Sequence, residues 1–360
     1  GDIYESIPTV NNGIDYNNVN YNFSDYYVGM HYRLKSGIFT LSPGFTAHAY
    51  NSKNSQFSVD YSDSFFKILP DFNAIIQLKQ SESIRFNYAM RTQFTDVSKI
   101  AQGLVLNNYN SIFSGDNEIQ NAISHSFNLN YFSFNLFNYT NIFARISYNK
   151  SIDQIRNLTT FESVVASSSP FNSPFADENF SANGRFQRQF GKIRASLSSG
   201  INFSKFNQYI SDINNPSISE NFSQNYGATV RTSFKEAPNV ELGYNYSLTN
   251  NILGDVESKF YTKAPFIDVD ALILKSFTFR SRYTNTSFSN DRAVLNEYEF
   301  WDASLAYKKD QDSKWEFELK ATNLLNTKSQ NQSNTGNISI SSTEYFIQPR
   351  FITFRLVYDL

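Results

Sequence analysis

The chain closes on Phe351-Ile352-Thr353-Phe354-Arg355-Leu356-Val357-Tyr358-Asp359-Leu360. Counting back from the end, Leu360, Tyr358, Leu356, Phe354 and Ile352 are apolar, and Asp359, Arg355 and Thr353 are polar. Only Val357 breaks the alternation. A period of two places the first set on one face of a β-strand and the second set on the other. No polar tail follows. A soluble sandwich buries such a strand against a second sheet and seldom terminates on it. A transmembrane β-barrel needs it, because its final strand closes the sheet with one side against lipid.

The mean hydropathy is negative, and no run approaches the roughly 20 apolar residues of a membrane-spanning helix. A barrel is exempt from that requirement, since only alternate residues of each strand meet lipid. The chain holds 35 Phe and 23 Tyr with only 18% charged residues, where soluble domains carry about 25%. Both aromatics favour strands, and Tyr suits the lipid–water interface. The absence of cysteine excludes disulfides and thiolate metal sites. A net charge of −2 without a basic stripe argues against a nucleic-acid partner. No Pro/Gly/Ser tract divides the chain, so residues 1–360 read as one domain. Residues 1–10 lack the basic start and apolar stretch of a secretory signal. An exported chain of this sequence is therefore expected to be processed or part of a longer one.

Alternation and turn signals predict an all-β antiparallel transmembrane barrel with about fifteen strands present. They fall at residues 20–34, 38–51, 65–78, 84–94, 123–135, 140–155, 178–190, 193–209, 222–234, 240–250, 259–274, 276–289, 298–308, 314–325 and 343–360. Short turns alternate with longer, irregular segments at 95–122, 156–177, 210–221 and 327–342. Bacterial outer-membrane barrels keep short turns in the periplasm and long loops outside. The parity therefore implies a periplasmic C-terminus and extracellular long loops.

Three strands show which face is which. Trp315, Phe317, Leu319 and Ala321 alternate with Glu316, Glu318 and Lys320. Phe277, Phe279 and Tyr283 alternate with Thr278, Arg280, Arg282 and Thr284. Ile84, Phe86, Tyr88 and Met90 alternate with Arg85, Asn87, Ala89 and Arg91. An Arg or Lys facing lipid at mid-bilayer costs roughly 2–4 kcal/mol, so the charged sets are expected to line the lumen. An odd strand count with an extracellular start implies part of a barrel, because complete bacterial barrels have even counts. Its two open edges call for strands from elsewhere.

The final strand, ending in alternating apolar residues with Tyr third from the end, resembles the C-terminal strand of outer-membrane barrels, the segment their insertion machinery recognises. Internal motifs resemble TonB-dependent transporters of the Bacteroidota type. Phe65-Phe66-Lys67-Ile68-Leu69-Pro70-Asp71-Phe72 is similar to that family's F-x-x-L-P-x-L strand start, and residues 83–91 to the strand after it. Ser114-Gly115-Asp116-Asn117-Glu118-Ile119 stands where the family reads x-G-N-P-x-L, with Asp116 and Asn117 departing from the pattern. Ala321-Thr322-Asn323-Leu324-Leu325-Asn326-Thr327 resembles the penultimate-strand N-L-f-n signature, and Tyr345-Phe346-Ile347-Gln348-Pro349-Arg350 the y-x-x-P-R lead into the last strand. The matches run from about Phe65 to Leu360. The resemblance implies a nutrient importer whose plug, TonB-engaging segment and first strands have no counterpart here. Against a 22-strand barrel, 22 minus 15 leaves seven strands absent. Its implied partners are outer-membrane lipid, the remaining strands and plug, TonB and a surface lipoprotein. A non-transporting barrel serving as a structural subunit of an envelope complex fits the same motifs.

No enzyme and no cofactor are expected. His31, His48 and His125 lack metal-ligand spacing, and His125 between Ser124 and Ser126 reads as an interfacial residue. Asp60, Asp63 and Asp71 lack EF-hand spacing, and Asp310 and Asp312 suit a turn. No glycine loop for phosphate occurs. Phe161, Phe171 and Phe175, with Pro170 and Pro174, place aromatics on a constrained loop. There they stack on a sugar ring, dock a partner, or pack the loop on its neighbours. Asparagine, dense in residues 326–337, solvates loops and lumen. The substrate is not encoded in any motif.

Overall fold

The computed structural model describes residues 19–235, 238–310, 312–335 and 340–358. Asp359, Leu360, Gln311, part of the Asn-rich stretch and the segment read for a signal lie outside them. The chain starts with β1 (Asn20–His31) and β2 (Leu34–Ser36), then β3 (Phe39–Gln56), β4 (Val59–Lys79) and β5 (Glu82–Gln93). A four-residue helix α1 (Val97–Ile100) and two short strands follow, β6 (Val105–Asn108) and β7 (Ser111–Phe113). Next come β8 (Ala122–Asn135), β9 (Thr140–Ile152), β10 (Ile155–Glu162), β11 (Val165–Asn172), β12 (Asp177–Phe190) and β13 (Ile193–Ile210). The chain continues through β14 (Ser217–Thr232), β15 (Asn239–Leu253), β16 (Val256–Ile273), β17 (Phe277–Asn290), β18 (Val294–Lys308) and β19 (Trp315–Thr322). β20 (Ser329–Thr335), β21 (Ile340–Phe346) and β22 (Phe351–Tyr358) complete it.

One antiparallel barrel wall runs β1, β3, β4, β5, β8, β9, then β12 to β19, then β22. β2 belongs to the same line as β1, because both keep one register against β3: His31 faces Gly44 and Leu34 faces Leu41. The break between them lies opposite Pro43, which has no N–H to give the ladder. The wall therefore has the fifteen strands expected among the described residues. Among those residues β1 pairs only with β3 and β22 only with β19, and no ladder joins β1 to β22.

Register carries each side chain's face from strand to strand. In one row Leu305 faces Leu319, which faces Phe354; in another Tyr307, Phe317 and Leu356 align. These are large apolar groups on open surface: Leu319 is 50% and Phe354 67% exposed. The opposite face carries Glu316, Glu318, Lys320, Thr353 and Arg355, and there Arg355 Nε donates to Glu318 at 2.8 Å. Val357, the break in the alternation, joins this polar face opposite Glu316. The same division holds at the first strands, where Val28, Ala47 and Ile68 share a row and Tyr27, His48 and Lys67 share the next.

Three expectations are corrected. The connections do not alternate strictly between short and long, since Phe57-Ser58, Gly254-Asp255 and residues 291–293 are tight turns at the end where loops were expected. Phe57 and Ser58 both take positive φ (52° and 63°), the geometry of a two-residue hairpin turn that usually recruits Asn-Gly. The β3–β4 ladder consequently runs unbroken from Phe39↔Ile76 to Gln56↔Val59. Second, residues 95–122 and 156–177 are not irregular but build a sheet of their own, described below. Third, residues 343–360 are not one strand: β21 pairs with β20, and the wall strand β22 starts only after Pro349.

The two asparagines of the N-L-f-n motif and the Pro-Arg motif form one hydrogen-bonded unit at that break. Asn323 and Asn326 adopt left-handed backbone (φ 51° and 58°), which Asn tolerates better than most residues. Buried Asn323 donates through Nδ2 to the carbonyls of Thr327 (2.8 Å) and Gln348 (3.0 Å), and its Oδ1 accepts from Thr327 N–H (2.8 Å). Asn326 Oδ1 accepts from Arg350 N–H at 3.2 Å, and Asp302 Oδ1 from Asn323 N–H at 2.8 Å. Both asparagines thus act as strand-end hydrogen bonders, and Pro349 sits just outside the ladder. Asn323→Ala leaves two part-buried carbonyls and an N–H without this partner, at about 1–3 kcal/mol. Its urea unfolding midpoint in detergent micelles is expected to fall, whereas Asn296→Ala on β18 should be near neutral.

Candidate functional site

The polar face holds three kinds of surface. Near the short-turn end a band of alternating charge crosses β14 to β17. Arg231 donates to Asp270 (2.8 Å) and Glu241 (3.4 Å), and Arg282 pairs with Asp268 at 3.4 Å. These half-exposed pairs contribute little stability and form a wetted, neutralised lining. Further along, a trough of about 510 Å³ lies over Gly200 and Gly227, edged by Asn183, Asn225 and Asn245. It presents amides and hydroxyls, with Arg185 at one side.

The third surface lies on β1 to β5 and gathers side chains distant in sequence. His48 Nδ1 bonds Asp25 Oδ1 and Oδ2 at 2.9 and 3.1 Å, and His31 Nε2 bonds Asp71 Oδ2 at 2.8 Å. His31 reaches Asp71 by lying across Gly44, where a Cβ would stand 2.2 Å from the imidazole. Tyr27, His48 and Tyr50 stack nearly parallel, with centroids 5.4 and 5.3 Å apart. Phe23, Phe65 and Phe94 close around Tyr50, whose hydroxyl donates to Thr92. A groove of about 490 Å³ runs beside them.

The sequence treated His31, His48 and Asp71 as unrelated. Asp25 and His48 are separated by 23 positions and His31 and Asp71 by 40, so only hairpin register joins them. His125 lies apart on the apolar face, with its Nδ1 3.0 Å from Tyr88 Oη. Asp60 and Asp63 sit near the β3–β4 tip, away from these pairs. Among the described residues no group of three or more His, Cys, Asp or Glu could hold a metal.

The two long connections form a cap. Its sheet is ordered β6-β7-β11-β10, with β7 and β11 parallel, and β10 lies parallel against the end of β13 through Leu158↔Tyr209. Gln56 at the β3–β4 tip ties in α1, donating to Ile100 O (3.2 Å) and accepting from Gln102 N–H (3.0 Å). Gly115 N–H donates to Ala101 O at 2.8 Å, and a Cβ there would stand 2.4 Å from that oxygen. The glycine of the degraded loop motif is therefore a docking point for the turn after α1.

Of the loop aromatics, Phe171 packs edge-on against Tyr209 at 4.7 Å beside fully buried Pro170. Phe161 and Phe175 stay open, 58% and 43% exposed. The β10–β11 hairpin is anchored by the Arg156–Asp177 ion pair, by Ser173 on Tyr209, and by Asn172 Nδ2, which donates to Gln120 O and Asp153 O.

Comparison with family models finds no match, and no curated protein matches. Among solved structures the chain is similar to the P. aeruginosa FpvA complex with a heterologous pyoverdine and iron, at 10% identity and a TM-score of 0.33. The alignment covers 94% of this chain and 58% of that one, so the chain spans little more than half that protein's length. A likeness this loose places no residue.

Arg156→Ala should release the hairpin without unfolding the wall: amide exchange in residues 155–172 is expected to rise about tenfold, and that of β14–β16 to stay unchanged. A second outcome concerns pH. Asp96 caps α1, accepting from the hydroxyl and N–H of Ser98, and the Ser98 hydroxyl bond foremost holds its carboxyl below the usual 3.8. A lowered folded-state pKa contributes stability that is present above 3.8 and lost as pH falls through the folded value. The protection factors at residues 97–101, corrected for intrinsic exchange, should therefore hold level from neutrality to about pH 4 and fall as the pH drops below 3.8 through the folded value.

Proposed function

We propose that this chain is wall of an outer-membrane barrel of the TonB-dependent transporter kind, its short-turn end and C-terminus in the periplasm and its cap outside. The observation that carries the reading is the height of the exposed apolar band. On β12 the apolar-face positions run Glu178, Phe180, Ala182, Gly184, Phe186, Arg188. Charges bound the band at 178 and 188, ten residues apart. At about 3.3 Å per residue the interval is about 33 Å along the strand, and a tilt of about 45° brings it to about 23 Å. Outer-membrane barrels carry an apolar band of about 25 Å.

The upper boundary continues sideways as a charged row, with Lys150–Glu178 at 3.7 Å and Lys205–Glu220 at 3.1 Å. The lower one ends in aromatics: Trp315 packs on Tyr358 at 4.6 Å, and Phe277 on Tyr307 at 4.9 Å. Such girdles suit the headgroup level. Among the described residues the outer edges of β1 and β22 have no ladder, and further strands would meet them, since open edges are untenable in hydrocarbon. A plug, TonB engagement and a surface lipoprotein belong to the same reading, as does import of a nutrient too large or scarce for porins.

Nitroxides at Phe317, Leu319 and Leu356 should be relaxed by oxygen, which partitions into lipid, and those at Glu318 and Thr353 by a water-soluble nickel chelate. In parallel, cysteines at Tyr109 and Val164 should react with an impermeant maleimide on intact cells. Inverted relaxation, or labelling only after the outer membrane is opened, would sink the assignment.

A further inference from the structure

We infer that the lipid-side face of β1, β3 and β4, above the apolar band, carries a site for a membrane lipid with a phosphate-bearing saccharide headgroup, an outer-leaflet glycolipid. The inference rests on the reading of this chain as barrel wall with its cap outside, and adds to it a lipid class and a place.

Register places the site on the lipid side. Val28, Ala47 and Ile68 share one row of the apolar face, and Tyr26, Ala49 and Phe66 share the next row outward. Tyr26 is 71% and Phe66 62% exposed, and an open Tyr at this height suits the headgroup level. Beyond them the same face continues through the rows Ser24–Asn51–Ser64, Asn22–Lys53–Ser62 and Asn20–Ser55–Asp60. Seven of these nine side chains are neutral amides or hydroxyls. The boundary on β9, β12, β13 and β14 is different. There the first row beyond the band is Lys150, Glu178, Lys205 and Glu220, paired among themselves at 3.7 and 3.1 Å. The outer edge of the band therefore has two chemistries, a self-neutralised charged arc and an arc of amides and hydroxyls.

The second arc encloses a groove of about 770 Å³ lined by Asn20, Asn22, Ser24, Asn51, Lys53 and Ser62. The β3–β4 ladder runs unbroken beneath it to Gln56↔Val59, so the spacing of these groups is fixed. Asn51 Nδ2 donates to Ser64 Oγ at 3.0 Å, and Ser24 Oγ to Asn22 Oδ1 at 3.4 Å. The Asn22 amide and the second Asn51 N–H stay open to a ligand, since each amide carries two donors. Lys53 is exposed and has no ion-pair partner among the described residues.

Height selects the ligand. From Tyr26 to Asn20 the strand climbs about 20 Å along its length, which a tilt of about 45° makes about 14 Å above the band. A phospholipid headgroup layer reaches only about 5–8 Å beyond the hydrocarbon. A lipid that fills the groove therefore needs a headgroup about twice as tall. Linked sugar rings supply that height, their hydroxyls match the amides and serines, and a phosphate matches the point charge of Lys53. A soluble sugar gains nothing from the rows below. A lipid-linked one uses them, because its acyl chains lie along Val28, Ala47 and Ile68 while its rings occupy the groove.

The test uses the full chain purified in detergent and native mass spectrometry to read bound lipid. The probes are a rough lipopolysaccharide (acyl chains, phosphates and core sugars), phosphatidylglycerol, and the deacylated oligosaccharide of the same lipopolysaccharide. The wild type should hold the lipopolysaccharide about tenfold more tightly than phosphatidylglycerol, and the free oligosaccharide should not displace it. Lys53→Ala and the double variant Asn22→Ala with Ser62→Ala should each lose about that factor, whereas Lys205→Ala in the charged arc should keep it. Every sample is checked for heat-modifiable gel migration. A folded wild type without preference for the lipopolysaccharide overturns the site and leaves the barrel reading standing. Undiminished preference in both groove variants, or displacement by the free oligosaccharide, overturns it too. Loss of heat-modifiable migration in the wild type would instead remove the barrel reading itself.

Discussion

Hydrogen-bonded register between neighbouring strands is the constraint on which everything else in this molecule depends. A strand's side chains alternate faces, so each cross-strand pair forces its two residues onto one side, and the next pair hands that choice onward. From Val28 beside Ala47 to Leu319 beside Phe354 the apolar rows never change sides. A slip by one residue on any strand would turn its charges outward and its Phe and Leu inward. The bulges in the wall ladders are consistent with this: they fall between Gln77 and Lys79 and between Phe288 and Ser289, both at strand ends, where an extra residue inverts nothing beyond it.

A one-layer wall has no second sheet to pack against, and this moves the burden of fixing the loops onto polar groups. The most buried side chains include Gln56, Asn54, Ser173, Asn207 and Asn323, mostly at junctions between wall and cap. Asn54 accepts from Gln56 Nε2, and the other four meet backbone groups near strand ends and turns. Hydrogen bonds are directional, so such junctions set orientation where apolar contact would permit sliding. Glycine serves the opposite purpose on the polar face. At Gly243 a Cβ would come within 2.1 Å of the Phe266 ring. As at Gly44, its absence lets a ring lie along the wall instead of projecting from its polar face.

The wall was readable in the sequence because period two repeats across many strands and turn residues punctuate it. Trp315 to Ala321 shows both faces without any structural information. The features that escaped lack a local signal. Phe57 and Ser58 form a tight turn without glycine or asparagine, so the hairpin tip looked like more loop. β10 and β11 are polar and short, and their partners β7 and β13 are remote, so residues 156–177 showed no periodicity worth counting. The Asp25–His48 and His31–Asp71 pairs exist only once register is known. Asn323 and Asn326 were legible as a motif near a strand end, where Asn accommodates left-handed backbone. That one network also binds Pro349-Arg350 was not, because the two segments lie more than twenty residues apart.

The parallel seam between β10 and β13 has a consequence for the order of assembly. Every wall strand pairs with a neighbour added directly before or after it, so the wall can grow hairpin by hairpin with little loop closure at each step. β10 cannot be completed that way. Its partner residues Tyr209 and Ile210 belong to a strand made two wall positions later, and Ser211 N–H donates to Thr159 O at 2.9 Å only when that strand has arrived. Until then the β10–β11 hairpin has an unsupported edge, and β7, paired with β6, has only that hairpin on its other side. The cap is thus a late event that depends on the wall beneath it, and a chain halted before β13 would leave that end of the wall uncovered.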